Sequence, residues 1–162
     1  MFERDDVRNH AFTTASNVFE TMFYLSVELK DELEGGAFSP GDQPLLRGEI
    51  EFQGRYSGKL SLDVPNGLAK AMAVNFLGLE EAEVEETHTL DVVGEVCNMI
   101  CGNLFSQLDK KSVYRLTSPH TRSLSLEAGR EEGRDHSLVI PLNVEGSSVT
   151  LTIQFCGLEE GR

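Results

Sequence analysis

A carboxylate and a primary amide stand three residues apart in the stretch Asp91-Val-Val-Gly-Glu-Val-Cys-Asn-Met-Ile-Cys-Gly-Asn103. The carboxylate is Glu95 and the amide is Asn98. On a helix, side chains at this spacing are neighbours on one face. An amide both donates hydrogen bonds to water and accepts them, whereas a carboxylate pairs with a cation. The two residues therefore form a polar pair that an approaching partner could reach.

The same helical stripe also carries Asp91, Gly102 and Ser106 when residues are placed at about 100° intervals. Gly102 keeps the surface low beside the pair, although glycine inside a helix costs about 1 kcal/mol relative to alanine. Asp91 falls in the first turn of the predicted helix, where a carboxylate also suits the helix dipole. The polar face of an ordinary surface helix is the alternative interpretation of the stripe. The opposite side is apolar: Val92, Val93, Val96, Cys97, Ile100, Leu104 and Leu108.

Hydrophobic periodicity predicts the elements that position this helix. Helical spacing gives way to a period of two, typical of strands, in two separate regions. The predicted order is a long helix over 4–33 ended by glycines 35 and 36, a loop over 37–44, a β-hairpin over 46–64, a helix over 66–77 ended by Gly78, an acidic connector over 80–86, the motif helix over 89–108, a strand over 112–117, a loop over 127–136 and a second β-hairpin over 138–155 turned at 145–147.

Composition and charge exclude several classes of function. With 162 residues, 40% hydrophobic and 25% charged, the chain reads as one globular domain over residues 1–162. A net charge of −13 argues against nucleic acid and against an anionic membrane surface. No apolar run is long enough for a membrane span, and the charged start Met1–Asp6 does not resemble a signal peptide. We expect a cytoplasmic protein.

The three cysteines and His88 raise the question of a metal site. Cys97 and Cys101 lie one helical turn apart, a spacing that can bind zinc. A structural zinc needs four ligands, and no second pair of Cys or His falls at a suitable spacing. Buried free thiols in a reducing cytoplasm explain these two cysteines and Cys156 better. We therefore predict no metal and no cofactor held by the chain itself.

The motif helix resembles the Glu-x-x-Asn helix of CheX-type chemotaxis phosphatases, in the CheC/CheX/FliY group. The resemblance rests on Gly94-Glu95-Val96-Cys97-Asn98-Met99-Ile100-Cys101-Gly102-Asn103 with Asp91 before it. It extends in the order of elements from about Phe12 to Phe155. It implies an α+β fold: a CheC-like tandem α/β repeat whose long helices pack on a largely antiparallel sheet.

The resemblance also implies a function, which is hydrolysis of the aspartyl phosphate on a CheY-like response-regulator receiver domain in chemotaxis. Asn98 would hold the attacking water, and Glu95 would pair with the receiver's lysine. Asp91 and Gly102 would contact the partner. The receiver would bring its own Mg²⁺. CheC-like relatives carry a second Glu-x-x-Asn in the first helix, but here Asn17 and Glu20 stand in the reverse order, so one centre per chain is expected.

Two further expectations concern assembly and alternatives. Pro141 cannot donate to a ladder, so its strand should lie at a sheet edge or carry a bulge. CheX-like proteins are expected to dimerise through such an edge, which predicts a homodimer with Glu95 and Asn98 left exposed. A module that binds a phosphorylated regulator or a flagellar switch component without hydrolysis is the alternative function. A purely structural dimer that buries the polar stripe is a third possibility.

Overall fold

The structure is a computed structural model that describes residues 2–29, 44–124 and 137–156. The helices and strands in these ranges are α1 (Arg4–Phe23), β1 (Val27–Leu29), β2 (Leu45–Gln53), β3 (Ser57–Pro65), α2 (Asn66–Leu77), α3 (Glu86–Leu108), β4 (Arg115–Leu116), β5 (His120–Leu124), β6 (Ser137–Val144) and β7 (Ser147–Cys156), with a short 3-10 turn at Glu81–Glu83 between α2 and α3.

The strands form one antiparallel sheet in the order β1-β6-β7-β3-β2-β4, with β5 on β2 as well. One row of apolar side chains crosses four strands through the partners Ile50, Leu60, Ile153 and Leu138. All four are buried beneath the helices, which pack on this face. The expected α+β class, with long helices on a largely antiparallel sheet, is confirmed.

Both predicted hairpins are confirmed. Residues alternate between buried and less buried along β2, β3, β6 and most of β7, as expected for a sheet with one face in the core. Glu145 and Gly146 join β6 to β7 with φ of 47° and 89°. Two positive φ values in succession match the twist of the strands that such a turn connects.

The two later helices also follow the prediction. α2 spans Asn66–Leu77 and ends at Gly78, whose φ is 66°. α3 ends at Leu108 as expected but begins at Glu86, three residues before the predicted start. The extension arises because Glu85 and His88 cap the first turn, and the Glu85 N–H donates to His88 Nδ1 over 3.0 Å.

The predicted length of the first helix is wrong. α1 ends at Phe23, and Tyr24 turns into the left-handed region with a φ of 56°. Its N–H closes the helix on the Glu20 carbonyl. Val27–Leu29 then pairs with β6, so a three-residue strand replaces the last part of the predicted helix. The glycines at 35 and 36 and the loops predicted over 37–44 and 127–136 lie outside the described residues, apart from Pro44.

The strand predicted over 112–117 is shortened to β4, and the prediction missed β5. β5 carries little apolar character, so no period of two was visible in His120–Leu124. β4 is confined to Arg115–Leu116, and the Tyr114 ring just before it packs on Phe105 of α3. The prediction of a buried Cys156 is also wrong, because this thiol is exposed at the end of β7.

Pro141 lies in a stretch of β6 that described residues pair on one side only. β6 is paired along its full length by β7, but on its other side β1 pairs only with Leu142–Val144. Among the described residues, Ser137–Pro141 therefore has a partner on one side only. This arrangement agrees with the edge position predicted for Pro141, whose missing N–H is tolerated where no ladder needs it.

The face of the sheet away from the helices is polar. Arg47 donates two hydrogen bonds to the Asp63 carboxylate, over 2.7 and 2.9 Å. Lys59 and Arg122 lie 3.8 and 3.5 Å from the carboxylate of Glu49. These ion pairs lie on the polar face of the sheet, opposite the face on which α3 packs.

Candidate functional site

The candidate site is built on the middle of α3, where packing fixes the helix against the sheet. Val93, Val96, Cys97 and Ile100 are fully buried. A Cβ at Gly48 of β2 would lie 3.2 Å from both Val93 and Cys97. The absence of a side chain at Gly48 thus lets α3 approach β2 closely. A helix held this tightly presents its outer stripe in a fixed orientation.

The structure brings the predicted site residues together on the outer stripe. Asp91, Glu95 and Ser106 are exposed, while Asn98 and Gly102 are half-buried. Glu95 and Asn98 are separated by about 5–6 Å between Cβ atoms, as any i, i+3 pair on a helix is. The stripe therefore offers a carboxylate and an amide side by side, with the amide set slightly lower in the surface.

No side chain in the described ranges engages this pair. Glu95 and Asn98 form no side-chain hydrogen bond or ion pair with any described residue, and the same holds for Asp91. An exposed carboxylate and amide without internal partners are free to bind groups on another molecule. This is the property that a docking or catalytic surface requires.

A segment that sequence reasoning missed forms one border of the stripe. A Cβ at Gly94 would lie 3.0 Å from Thr121 and 3.5 Å from Pro119. A Cβ at Gly102 would lie 3.7 Å from Leu116. Residues 116–121 therefore run along the flank of α3 beside the Glu95 and Asn98 turn. The clue in the sequence was the pair of glycines four residues to either side of Asn98.

Beyond Gly102 the stripe opens into a shallow depression. Its lining comes from the end of α3 and the segment after it: Gly102, Phe105, Ser106, Ser112, Tyr114 and Leu116. The Tyr114 ring packs on Phe105 with centroids 4.7 Å apart, and its hydroxyl donates to Asp109 over 3.1 Å. Burial, followed by the hydrogen bond to Asp109, raises the pKa of Tyr114 to about 12.

The buried face of α3 carries structural thiols. The Cys97 thiol is 3.8 Å from the Leu60 carbonyl, which it faces as a weak donor. Burial raises the pKa of Cys97 far above its ordinary value and that of Cys101 to about 12. Protonated thiols are poor metal ligands and poor nucleophiles. Across the described residues no three His, Cys, Asp or Glu side chains cluster as a metal site would require, and His88 serves as a helix cap.

The sequence matches one protein family. Residues 47–143 fit the family described as chemotaxis phosphatase CheX, which is more than half of the 162-residue chain. The chain belongs to the CheX family of chemotaxis phosphatases. The resemblance read from the Glu95 and Asn98 helix is thereby confirmed at the level of the family.

Solved structures show the same fold. CheX from Vibrio vulnificus matches with a TM-score of 0.75 and 22% identity, covering 96% of this chain and 99% of that one. CheX from Borrelia burgdorferi, solved as a complex with CheY, BeF3 and Mg²⁺, matches with a TM-score of 0.65 and 19% identity over 96% and 99%. FliY from Thermotoga maritima matches with a TM-score of 0.59 and 16% identity over 92% and 86%.

A search of curated proteins finds no match to this sequence. Within the described residues, each helix is too short or too polar to cross a bilayer. At these levels of identity the solved structures establish the fold. The roles of Glu95, Asn98, Asp91 and Gly102 remain predictions that rest on the stripe itself.

Proposed function

We propose that this CheX-family chain hydrolyses the aspartyl phosphate of a CheY-like receiver domain. The observation that carries the proposal is the Glu95 and Asn98 pair, which lies on a rigid, outward-facing helix and has no partner among the described residues. The Borrelia burgdorferi relative, solved in a complex with CheY, supports a receiver as the partner class.

The reaction requires little from the phosphatase. Water attacks phosphorus in line, the bond between phosphorus and the aspartyl oxygen breaks, and the products are a free carboxylate and inorganic phosphate. The acyl phosphate is already activated, and the receiver's Mg²⁺ and lysine neutralise charge on the phosphoryl oxygens. The remaining barrier includes holding one water in the correct place, and positioning alone can be worth orders of magnitude in rate.

Asn98 has the properties that this water requires. Its carbonyl oxygen accepts a hydrogen bond from the water and its NH₂ group can donate to a phosphoryl oxygen. It carries no negative charge to repel the phosphate. Because Asn98 is half-buried on a packed helix, its side chain has fewer positions than one on an exposed loop.

Glu95 has a different role, because a carboxylate directly beside the phosphoryl group would be repelled. One turn from Asn98 on the exposed stripe, it can pair with the receiver's active-site lysine. Such a pair would fix the depth at which Asn98 enters. Asp91 and Gly102 would border the contact, Asp91 as an exposed acid and Gly102 as a gap in the surface.

The chemistry assigns the metal ion to the substrate. Receiver carboxylates would hold the Mg²⁺, which would neutralise charge on the phosphoryl group, and this chain needs no cofactor of its own in the proposed mechanism. Any dependence of the rate on Mg²⁺ should therefore follow the receiver's affinity for the ion. It should not change when Cys97 or Cys101 is replaced.

The direct test is the loss of label from a CheY-type receiver carrying radiolabelled phosphate. Addition of this protein at catalytic concentration is expected to accelerate release of inorganic phosphate over the receiver's own rate. Tight binding of the phosphorylated receiver without acceleration would replace the phosphatase with a binding module. Absence of both would remove the receiver as partner.

We also propose that the chain forms a homodimer through the open edge of β6. β7 lies between β6 and β3, so among the described residues the second hairpin has an unpaired edge only at Ser137–Pro141. Unpaired strand edges are normally covered or joined to another chain. Light scattering at micromolar concentration is expected to report twice the 17.9 kDa chain mass. A monomer, or a dimer that buries Glu95 and Asn98, would contradict this arrangement.

A further inference from the structure

The depression beyond Gly102 and the turn that follows α3 form a surface that the Glu95 and Asn98 mechanism does not use. In this turn, Val113 is 85% exposed, although it is apolar and lies between two residues that line the depression. Lys110 and Lys111 precede it and are exposed. With the described residues they form no ion pair, in a chain whose net charge is −13.

This surface is continuous with the candidate site. Ser106 lies eight residues beyond Asn98, a distance of about 12 Å along a helix. A protein interface of standard size covers about 800 Å² on each partner, which corresponds to a radius of about 16 Å. A partner centred on Asn98 therefore reaches the depression at the end of α3.

The turn is held in place before any partner arrives. The Tyr114 ring packs between Phe105 and Phe52, with centroid distances of 4.7 and 6.5 Å. The Tyr114 hydroxyl donates to Asp109 over 3.1 Å, and burial raises the pKa of Tyr114 above its ordinary value. A contact region that is already ordered loses less entropy on binding than a loose loop does.

The polarity of the surface indicates the chemistry of what binds it. Tyr114 and Leu116 line the depression with apolar groups, and Ser106 and Ser112 form a polar rim. An apolar side chain surrounded by polar groups fits such a site. The adjacent lysines favour a partner surface that carries acidic side chains.

We propose that this region, consisting of the depression and residues 110–113, is a second contact for the receiver domain that sets affinity but takes no part in the chemistry. The proposal rests on the proposed phosphatase function, because it takes the receiver as the partner. Val113 and the depression would receive an apolar side chain of the receiver, and Lys110 and Lys111 would attract acidic side chains on the receiver surface that faces the end of α3.

The test of the apolar contact compares two exposed hydrophobic residues at opposite edges of the sheet. Val113→Asp alters the proposed contact, and Tyr24→Asp is its control. Tyr24 is 86% exposed and leads into β1, whereas Val113 leads into β4. Aspartate also tolerates the left-handed conformation of Tyr24. Val113→Asp is expected to raise the apparent KM for phosphorylated receiver about fivefold with kcat unchanged, a range typical of one good interface residue.

The test of the charged contact uses two pairs of cations. Lys110→Gln with Lys111→Gln removes two charges from the turn, and Lys59→Gln with Arg122→Gln removes two from the polar sheet face on the far side of the core. The turn variant is expected to raise KM about threefold at low salt and to lose this effect at high salt, because screening shortens the reach of exposed charges.

Binding of a receiver loaded with BeF3 and Mg²⁺, the ligands present in the Borrelia burgdorferi complex, separates the two proposals. If the wild type binds this receiver but does not hydrolyse phosphorylated receiver, the phosphatase function fails, and the binding constants of the variants still decide the second contact. If the wild type is active and both turn variants stay within twofold of their controls, the second contact is wrong. Circular dichroism of each variant establishes that it is folded.

Discussion

Two long helices lie on the same face of the sheet and carry similar polar residues, yet only one has the order of a CheX-type site. α1 spans 20 residues and exposes Asn17 and Glu20, and α3 spans 23 residues and carries Glu95 and Asn98. Each pair places one amide and one carboxylate three residues apart. The two pairs differ in their order, their place along the helix and their surroundings.

The place along the helix affects the carboxylate. Glu20 lies in the last turn of α1, where its backbone carbonyl closes the helix with Tyr24. A carboxylate there faces the negative end of the helix dipole. Glu95 lies in the interior of α3, more than two turns from either end, so the dipole has little effect on it.

The surroundings differ as well. Over Arg4–Phe23, α1 contains no glycine, whereas α3 has Gly94 and Gly102 on either side of Asn98. Residues 116–121 approach α3 at these two glycines and border its stripe. The proposal that α3 and not α1 carries the site therefore rests on residue order and on a low surrounding surface as well as on residue types and spacing.

The largest expected effect comes from removing the amide. Asn98→Ala should lower kcat for receiver dephosphorylation by about 100-fold or more, since a misplaced water loses most of the benefit of positioning. The measurement is single-turnover loss of radiolabel from a saturating excess of phosphatase. Asn98 is half-buried on the side of α3 away from the core, so the fold should survive.

Asn17→Ala on α1 is the matched control for this change. It removes the same amide from an exposed position of the other helix and should leave the rate within twofold of wild type. Equal losses in the two variants, or none in either, would show that α3 has no special role and would favour a binding module.

Removing the carboxylate is expected to act on affinity. Glu95→Gln should raise the apparent KM about tenfold, equivalent to about 1.4 kcal/mol, with a much smaller change in kcat. The effect should shrink as salt increases from 50 to 300 mM, because the lost interaction is a charge pair. Glu20→Gln, which neutralises the corresponding acid on α1, should change neither quantity. A loss of kcat at constant KM would assign Glu95 to the chemistry and contradict the lysine pairing.

The sequence predicted the site helix more accurately than its border. The apolar residues of α3 recur at helical spacing, so its orientation and its exposed stripe could be read directly. Both hairpins could be read for the same reason, since Ile50, Leu60 and Ile153 alternate with polar neighbours. Each of these elements buries one face, so its apolar residues recur in the sequence with the period of a helix or a strand.

What could not be predicted depends on contacts between distant segments. β1 is a strand only because Val27–Leu29 meets β6, and β5 is a strand only because His120–Leu124 meets β2. β1 has only three residues, too few to show a period of two, and β5 has only one apolar residue. The depression beside Gly102 likewise requires Tyr114 to pack on Phe52 and Phe105, which lie far apart in sequence. The hydrophobic pattern within a single segment does not indicate which distant segment it will pair with.

The smallest expected effect, and the last prediction, makes α3 more like α1 by replacing its glycines. Gly102→Ala should raise the free energy of unfolding by about 1 kcal/mol, since alanine is the better helix former. Among the described residues outside its own helix, the new Cβ meets only Leu116, at an ordinary distance of 3.7 Å. At Gly94 the Cβ lies 3.0 Å from Thr121, so Gly94→Ala should gain less stability or lose some. Urea unfolding of both variants measures the difference.

The same two variants separate stability from docking. The methyl group of Gly102→Ala rises on the stripe one turn beyond Asn98 and should raise KM for the receiver two- to threefold, a small steric effect at a contact surface. Gly94 is buried against Pro119 and Thr121, so Gly94→Ala should leave KM unchanged. If Gly102 serves docking, Gly102→Ala should therefore raise the stability of the fold and at the same time weaken binding of the receiver. If Gly102→Ala were more stable and bound the receiver as well as wild type, Gly102 would have no part in the contact.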